Sequence, residues 1–193
     1  MKLLRMTHIK TRKLCEIIVN KMLKDKFYPD IIVVPLRGGA VIGRYLSDIL
    51  DQPKITTIAC EYYKGINETA EKPIITQKLS IPIKDKVVLL ADDVSDRGET
   101  LRICYEYLKN ESPKSLKTAT LFIKPWSIFI PDYYAAKTKK WIVFLGEEYE
   151  TIRNLYNKKD FKTLKKYFSE KEIKDALNLY KLKTEVVNQS RVQ

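Results

Sequence analysis

The segment Val87-Val88-Leu89-Leu90-Ala91-Asp92-Asp93-Val94-Ser95-Asp96-Arg97-Gly98-Glu99-Thr100-Leu101 constrains the fold more than any other stretch of this 193-residue chain. Its first five residues are apolar without alternation, so the strand they predict is covered on both faces. Parallel sheets flanked by helices provide that cover. The strand then meets Asp92, Asp93 and Asp96, followed by a turn over 95–98 and a helix expected over 99–109. Carboxylates crowded at a strand end repel one another unless a cation or hydroxyl donors stand between them. In open parallel sheets, ligands bind beyond the carboxyl ends of the strands. Amides at a helix start, helped by the macrodipole, cradle phosphates. Acids for sugar hydroxyls or a metal therefore stand beside an amide nest, to which Thr100 adds a hydroxyl. Gly98 permits close backbone approach. A ribose 5-phosphate fits this arrangement. The competing reading makes Asp96 a helix cap and the Asp92-Asp93 pair a plain strand end.

The rest of the chain repeats the order helix, strand, helix, strand, which predicts an α/β domain with a mainly parallel sheet. Leu14, Ile17, Ile18 and Met22 predict a first helix. The run Asp30-Ile31-Ile32-Val33-Val34-Pro35 reads as a buried strand, and Gly38-Gly39 opens a helix over 40–50. Further strands are expected at 55–59, 74–79, 118–123 and 141–145. The polar stretch 64–73 reads as a mobile loop, and the lysine-rich end as one or two amphipathic helices.

Composition narrows the setting. No stretch reaches the roughly 18 to 20 uncharged apolar residues that a membrane span needs. The start, Met1-Lys2-Leu3-Leu4-Arg5, lacks a signal-like apolar region, so a cytoplasmic protein is expected. Cys15, Cys60 and Cys104 are odd in number and unpatterned, which implies neither a disulfide framework nor a zinc site. The net charge of +12 suits any polyanion: a nucleic acid, a membrane surface or a phosphorylated substrate. Lys158, Lys159, Lys162, Lys165 and Lys166 are accounted for by a solvated helix face. Gly38 and Gly43 have the spacing of a nucleotide-triphosphate loop, but Arg44-Tyr45 replace the Lys and Ser or Thr it requires. His8, the single histidine, has no evident catalytic part.

The segment from Ala91 to Leu101 resembles the phosphoribosyl-pyrophosphate (PRPP) motif of type I phosphoribosyltransferases, with Arg97 where the family usually has Thr. Pro35-Leu36-Arg37-Gly38-Gly39 resembles the family's pyrophosphate loop, in which the peptide matching Leu36-Arg37 is often cis. The resemblance spans about residues 25–153 and points to the xanthine-guanine and archaeal-type purine branch. Its marks there are Phe122-Ile123-Lys124-Pro125-Trp126, Ile130-Pro131-Asp132-Tyr133-Tyr134 and Lys140-Trp141-Ile142-Val143-Phe144. It implies an open, mainly parallel twisted sheet flanked by helices, a small base-binding hood and a helical C-terminal extension. The domain would run over 1–154 and the extension over 155–193. The extension would pack on the parent domain or form a dimer contact.

The resemblance also implies roles. Arg37, Gly38, Gly39, Asp92, Asp93, Ser95, Asp96, Arg97, Gly98, Glu99 and Thr100 would bind PRPP, with Mg2+ on Asp93. Asp96 would accept or relay a proton at N7 of the base, and Arg37 would stabilise the leaving pyrophosphate. Lys124 would donate to a 6-oxo group, Trp141 would stack on the ring, and Ile142 and Glu147 would read its edge. Trp141 as a core aromatic in a short strand is the plainer account. The loop over 62–73, carrying Lys64, would close over the site. The branch usually continues with Pro-Trp and an acid, where this chain has Leu145-Gly146-Glu147. An ammonium cannot accept a hydrogen bond from the 6-amino group of adenine, so Lys124 favours hypoxanthine or guanine. The altered loop keeps adenine open. A homodimer or larger homo-oligomer is expected, with no membrane partner. A PRPP-sensing regulator that binds nucleic acid through its basic surface is the non-enzyme alternative, disfavoured by the intact acids at 92, 93 and 96.

Overall fold

The computed structural model describes residues 2–51, 54–63 and 72–190. The elements run β1 (Leu3–Arg5), α1 (His8–Lys24), β2 (Ile31–Leu36), α2 (Gly39–Ile49), β3 (Ile55–Tyr63), β4 (Lys72–Gln77) and β5 (Val87–Ser95). They continue with α3 (Glu99–Asn110), β6 (Ser115–Ile123), β7 (Tyr133–Lys137), β8 (Trp141–Val143), α4 (Glu148–Asn157), α5 (Phe161–Tyr167) and α6 (Glu170–Ser190). Two compact units result: His8–Lys139, and Met1–Thr7 with Lys140–Gln193. The boundary expected between 154 and 155 falls inside α4.

In the larger unit, six strands form one sheet in the order β4-β3-β2-β5-β6-β7. All neighbours are parallel except β3 and β4, which form an antiparallel pair at one edge. The apolar runs fill both faces, as a parallel sheet demands. Ile31, Val33, Val88 and Leu90 share one buried cluster with Leu101, Cys104 and Leu108 of α3. The alternate residues Ile32, Val34 and Leu89 are equally buried and point the other way, because successive side chains of a strand change face. There α1 and α2 pack against each other, and Gly43 lets α2 approach Val34. Fully burying each such aliphatic side chain stabilises the fold by about 1.5 to 3 kcal/mol.

Strand β5 is longer than its apolar run. It continues through Asp92, Asp93 and Val94 to Ser95, because β6 keeps pairing alongside it as far as Ser95↔Ile123. Asp92 and Asp93, expected beyond the strand end, therefore lie within the strand, and Asp96 alone of the three acids follows it. Strand β7, which no apolar run announces, pairs Tyr133 with Ala119 at the sheet edge.

In the smaller unit, β1 pairs in parallel with β8, in the register Leu3↔Trp141, Leu4↔Ile142 and Arg5↔Val143. Leu3, Val143, Ile152, Leu155, Leu164, Phe168 and Ala176 form its core. The lysine-rich end holds three helices rather than one or two. Asp160 breaks the pattern by accepting from the Thr163 amide at 3.1 Å, the mark of a helix N-cap. Across this unit Arg5 donates to Glu172 at 2.7 Å and to the Tyr167 carbonyl at 2.8 Å.

Among the described residues, no helix is long and apolar enough to cross a membrane. All three cysteines are free thiols. His8 hydrogen-bonds the Tyr45 hydroxyl at 2.7 Å.

Candidate active site

Two loops converge at the carboxyl ends of β2 and β5. After β2 the Leu36-Arg37 peptide is cis, as the resemblance implies. Arg37 is exposed, and Gly38 and Gly39 lead into α2. Gly38 lies directly against Asp93: a Cβ there would come within 2.5 Å of Oδ2. A Cβ on Gly39 would meet the Ala91 carbonyl oxygen at 2.7 Å. The glycine pair thus lets the β2 loop close onto β5 and brings Asp93 to it.

The neighbouring acids part company. Strand alternation sends Asp93 towards Gly38 and Asp92 to the opposite face, that of Leu90 and Cys104. Asp92 is buried, and burial raises its pKa to about 7 even though Oδ1 accepts from the Asp93 amide at 2.9 Å. Its charge in turn helps to raise the pKa of the Cys60 and Cys104 thiols, after the larger effect of their own burial.

The turn between β5 and α3 rests on the segment after β6. The Ser95 side chain is fully buried. Its hydroxyl donates to the Phe129 carbonyl at 2.8 Å and lies 2.8 Å from Ser127 Oγ. That hydroxyl supports the loop from beneath. The Ile128 amide donates to the Arg97 carbonyl at 2.9 Å, while the Arg97 side chain is exposed. Gly98, with φ of 86°, adopts a left-handed conformation that L side chains avoid. A Cβ there would also meet Ser127 Oγ at 2.6 Å and the Phe129 amide nitrogen at 2.7 Å. No side chain caps α3, so the capping reading of Asp96 fails. The first turn, with Glu99 and Thr100, therefore begins at Gly98 with no side-chain cap on its amides.

Asp96 instead belongs to a cluster with Lys124 and Trp126. The Trp126 indole Nε1 donates to Asp96 Oδ1 at 2.9 Å. The Lys124 ammonium sits 5.7 Å from the centre of the Trp126 ring, within range of a cation–π attraction. Lys124 is 4% exposed, and burial lowers its pKa, with the Asp96 charge pulling in the other direction. In the sequence Trp126 is a family mark without a role of its own. The same is true of Asp132, which accepts from the Thr118 amide and hydroxyl at 2.8 Å each and anchors the 124–132 segment. The available signal for Trp126 was a polar-tipped aromatic two residues from a lysine the chemistry already required.

The remaining base-reading candidates lie in the smaller unit. Ile142 is buried, and Trp141 is 55% exposed, so the core reading of this tryptophan fails. Trp141 and Glu147 line a cavity of ≈ 170 Å³ with Thr151, Asn154 and Leu155. The Glu147 carboxylate also accepts from the Phe144 amide at 3.2 Å, which shapes the turn after β8. Gly146 adopts φ of 88° in that turn. Of the loop expected over 62–73, the two ends belong to strands, with Tyr62 paired to Pro73 and Tyr63 to Lys72, while residues 64–71, with Lys64, lie outside the described residues.

Likeness to known proteins follows the geometry. A purine phosphoribosyltransferase from Pyrococcus horikoshii is 38% identical, with a TM-score of 0.66 over 75% of this chain and 93% of that one. A hypoxanthine-guanine phosphoribosyltransferase of Mycoplasma genitalium is 28% identical over 132 residues, 65% of this chain and 75% of the relative. A hypoxanthine phosphoribosyltransferase of Buchnera aphidicola is 32% identical over 122 residues, covering 61% of this chain. The match spans 66% of that relative's length. The family model for the phosphoribosyl transferase domain matches residues 6–151, from before α1 into α4. Both loops at the ends of β2 and β5 lie within that match, and this chain belongs to the phosphoribosyltransferases.

Proposed function

We propose that this chain transfers the 5-phosphoribosyl group of PRPP to N9 of a purine, a 6-oxopurine in preference to adenine, and releases pyrophosphate. The observation that carries the base assignment is Lys124, a buried ammonium beside Asp96. Hydrogen-bond acceptors offset the desolvation of a cation, and a ring carbonyl supplies one where an exocyclic amine does not. The names of the relatives agree with this assignment.

In this reading the first turn of α3, with the amides of Arg97, Gly98, Glu99 and Thr100, holds the 5-phosphate. Arg37 and the amides of Gly38 and Gly39 take the pyrophosphate and stabilise the charge that grows on it as the bond lengthens. Asp93, which faces Gly38, bonds the ribose hydroxyls from the same side as the leaving group. Asp92 holds the Asp93 backbone through its Oδ1 and meets the ribose only from the opposite face. Asp96 accepts the proton from N7 while N9 attacks.

The residues fit a magnesium ion that arrives on the substrate. Among the described residues no group of three or more His, Cys, Asp or Glu could hold a metal alone. Asp93 offers one carboxylate at the pyrophosphate loop, and this ion favours substrate phosphates with few protein ligands. When bound there it would neutralise charge on the leaving pyrophosphate.

The test offers adenine, hypoxanthine, guanine and xanthine separately, with PRPP and magnesium, and follows pyrophosphate release. Rapid turnover of hypoxanthine or guanine, abolished in Lys124→Met, is expected. Turnover of adenine alone would overturn the base assignment. PRPP binding without turnover of any base would overturn the enzyme reading in favour of a sensor.

A further inference from the structure

We infer that Trp126 is a positioning residue that holds Asp96 and Lys124 in register with the N7–O6 edge of the base. The inference rests on the proposed roles of those two residues. Trp126 is 51% exposed, so burial of its ring does not account for its placement. Three hydrogen bonds fix the loop around it. The Ser127 amide closes a turn onto the Lys124 carbonyl at 3.1 Å, and the Lys124 amide donates to the Ser95 carbonyl at 3.0 Å. The Ile128 amide ties the same turn to Arg97 at 2.9 Å. That turn sets the indole between the ammonium and the carboxylate, touching one through its face and the other through its N–H.

The chemistry gives this bridge a purpose. In a 6-oxopurine O6 and N7 are neighbours on one edge, so their partners must also be neighbours at a fixed separation. The indole, held by the turn, bears on both side chains at once and so fixes the spacing between them. It does so without competing for the base. Its single donor occupies Oδ1, which leaves Oδ2 as the acceptor for the proton from N7. Its ring has no acceptor in its plane that could draw the lysine away from O6.

Two variants separate the functions of the ring and the N–H. Trp126→Phe keeps an aromatic face under Lys124 but has no donor for Asp96, and Trp126→Leu lacks both. With hypoxanthine, Trp126→Phe should lower kcat by about tenfold and leave KM for PRPP unchanged, the scale of one lost charge-assisted hydrogen bond. Trp126→Leu should show the same kcat loss and also a raised KM for hypoxanthine. Adding Trp126→Phe to Asp96→Asn should cost little further, since an amide still accepts from the indole but can no longer take the proton that the indole positions it for. A Trp126→Phe enzyme with unchanged kcat, or one whose PRPP affinity falls in step with kcat, would overturn the inference. Asp96→Asn separates the two levels. Full turnover in that variant would remove the proton-acceptor reading and this inference together. A slow Asp96→Asn beside a fully active Trp126→Phe would remove this inference alone.

Discussion

Gly38 and Asp93 touch so closely that the smallest side chain would collide with the carboxylate, at 2.5 Å from Oδ2. The two adjacent glycines of this loop should therefore fail in different ways. The obstacle to Gly38→Ala is the end of one side chain, which can swing aside and take its ligand groups with it. Gly38→Ala should fold normally and raise KM for PRPP by about tenfold, the equivalent of roughly 1.4 kcal/mol of lost binding. The obstacle to Gly39→Ala is the Ala91 carbonyl, part of a central strand, at 2.7 Å. Backbone cannot move aside so cheaply, and overpacking costs about 1 to 3 kcal/mol. Thermal melts should show Gly39→Ala several degrees below the parent and Gly38→Ala close to it. The reverse order would contradict the arrangement.

Asp92 ties stability to pH. Burial raises its pKa to about 7, against roughly 3.9 in an unfolded chain. Between those values the unfolded chain has released the proton while the folded chain keeps it. Stability therefore falls as pH rises through this window, and the whole penalty stands above it. Asp92→Asn removes the charge and keeps an oxygen for the Asp93 amide. Its melting temperature should exceed that of the parent by a few degrees at pH 8, with the gap closing towards pH 4. A gap independent of pH would show that the carboxylate does not ionise at this site.

The Arg5–Glu172 pair in the smaller unit runs in the opposite sense. The hydrogen bond from Arg5, then those from Ser169, pull the Glu172 pKa down from 4.5 to about 2. Its stabilisation is present above about pH 4.5 and is lost as pH falls towards 2. Both side chains are about one third exposed, at 30% and 37%, so solvent screening limits the effect to about 1 kcal/mol. Denaturant titration of Glu172→Gln should show that loss at pH 7 and a smaller one at pH 3. An undiminished difference at pH 3 would assign the loss to packing.

The layout of the main sheet was legible because β2 and the start of β5, at its centre, are unbroken apolar runs, and a parallel sheet between helices covers such strands on both faces. Both loops were legible for a related reason: acids crowded at a strand end repel one another, and paired glycines weaken the chain, unless a ligand or a close backbone approach requires them. The strand through Asp92 to Ser95 was misjudged because hydrophobicity stops at Ala91, whereas the ladder with β6 does not. The inward turn of the Ser95 hydroxyl was not legible, because its partners Ser127 and Phe129 lie more than thirty residues on. The same holds for the Trp126–Asp96 bond, which spans thirty positions. Strand β1 is three residues long, too short for any periodicity to declare it.

That short strand has a consequence for how the molecule is made. Leu3 must wait for Trp141 before it has a partner, because the two meet only across the whole length of the larger unit. Contacts so distant in sequence carry a heavy loop-closure entropy and form late. During synthesis residues 8–139 can condense around their own core first, since a domain folds as a unit once its residues are available. The strand that carries Trp141 is thereby the last of the eight described strands to be secured, and its partner is a strand that left the ribosome before any of the larger unit did.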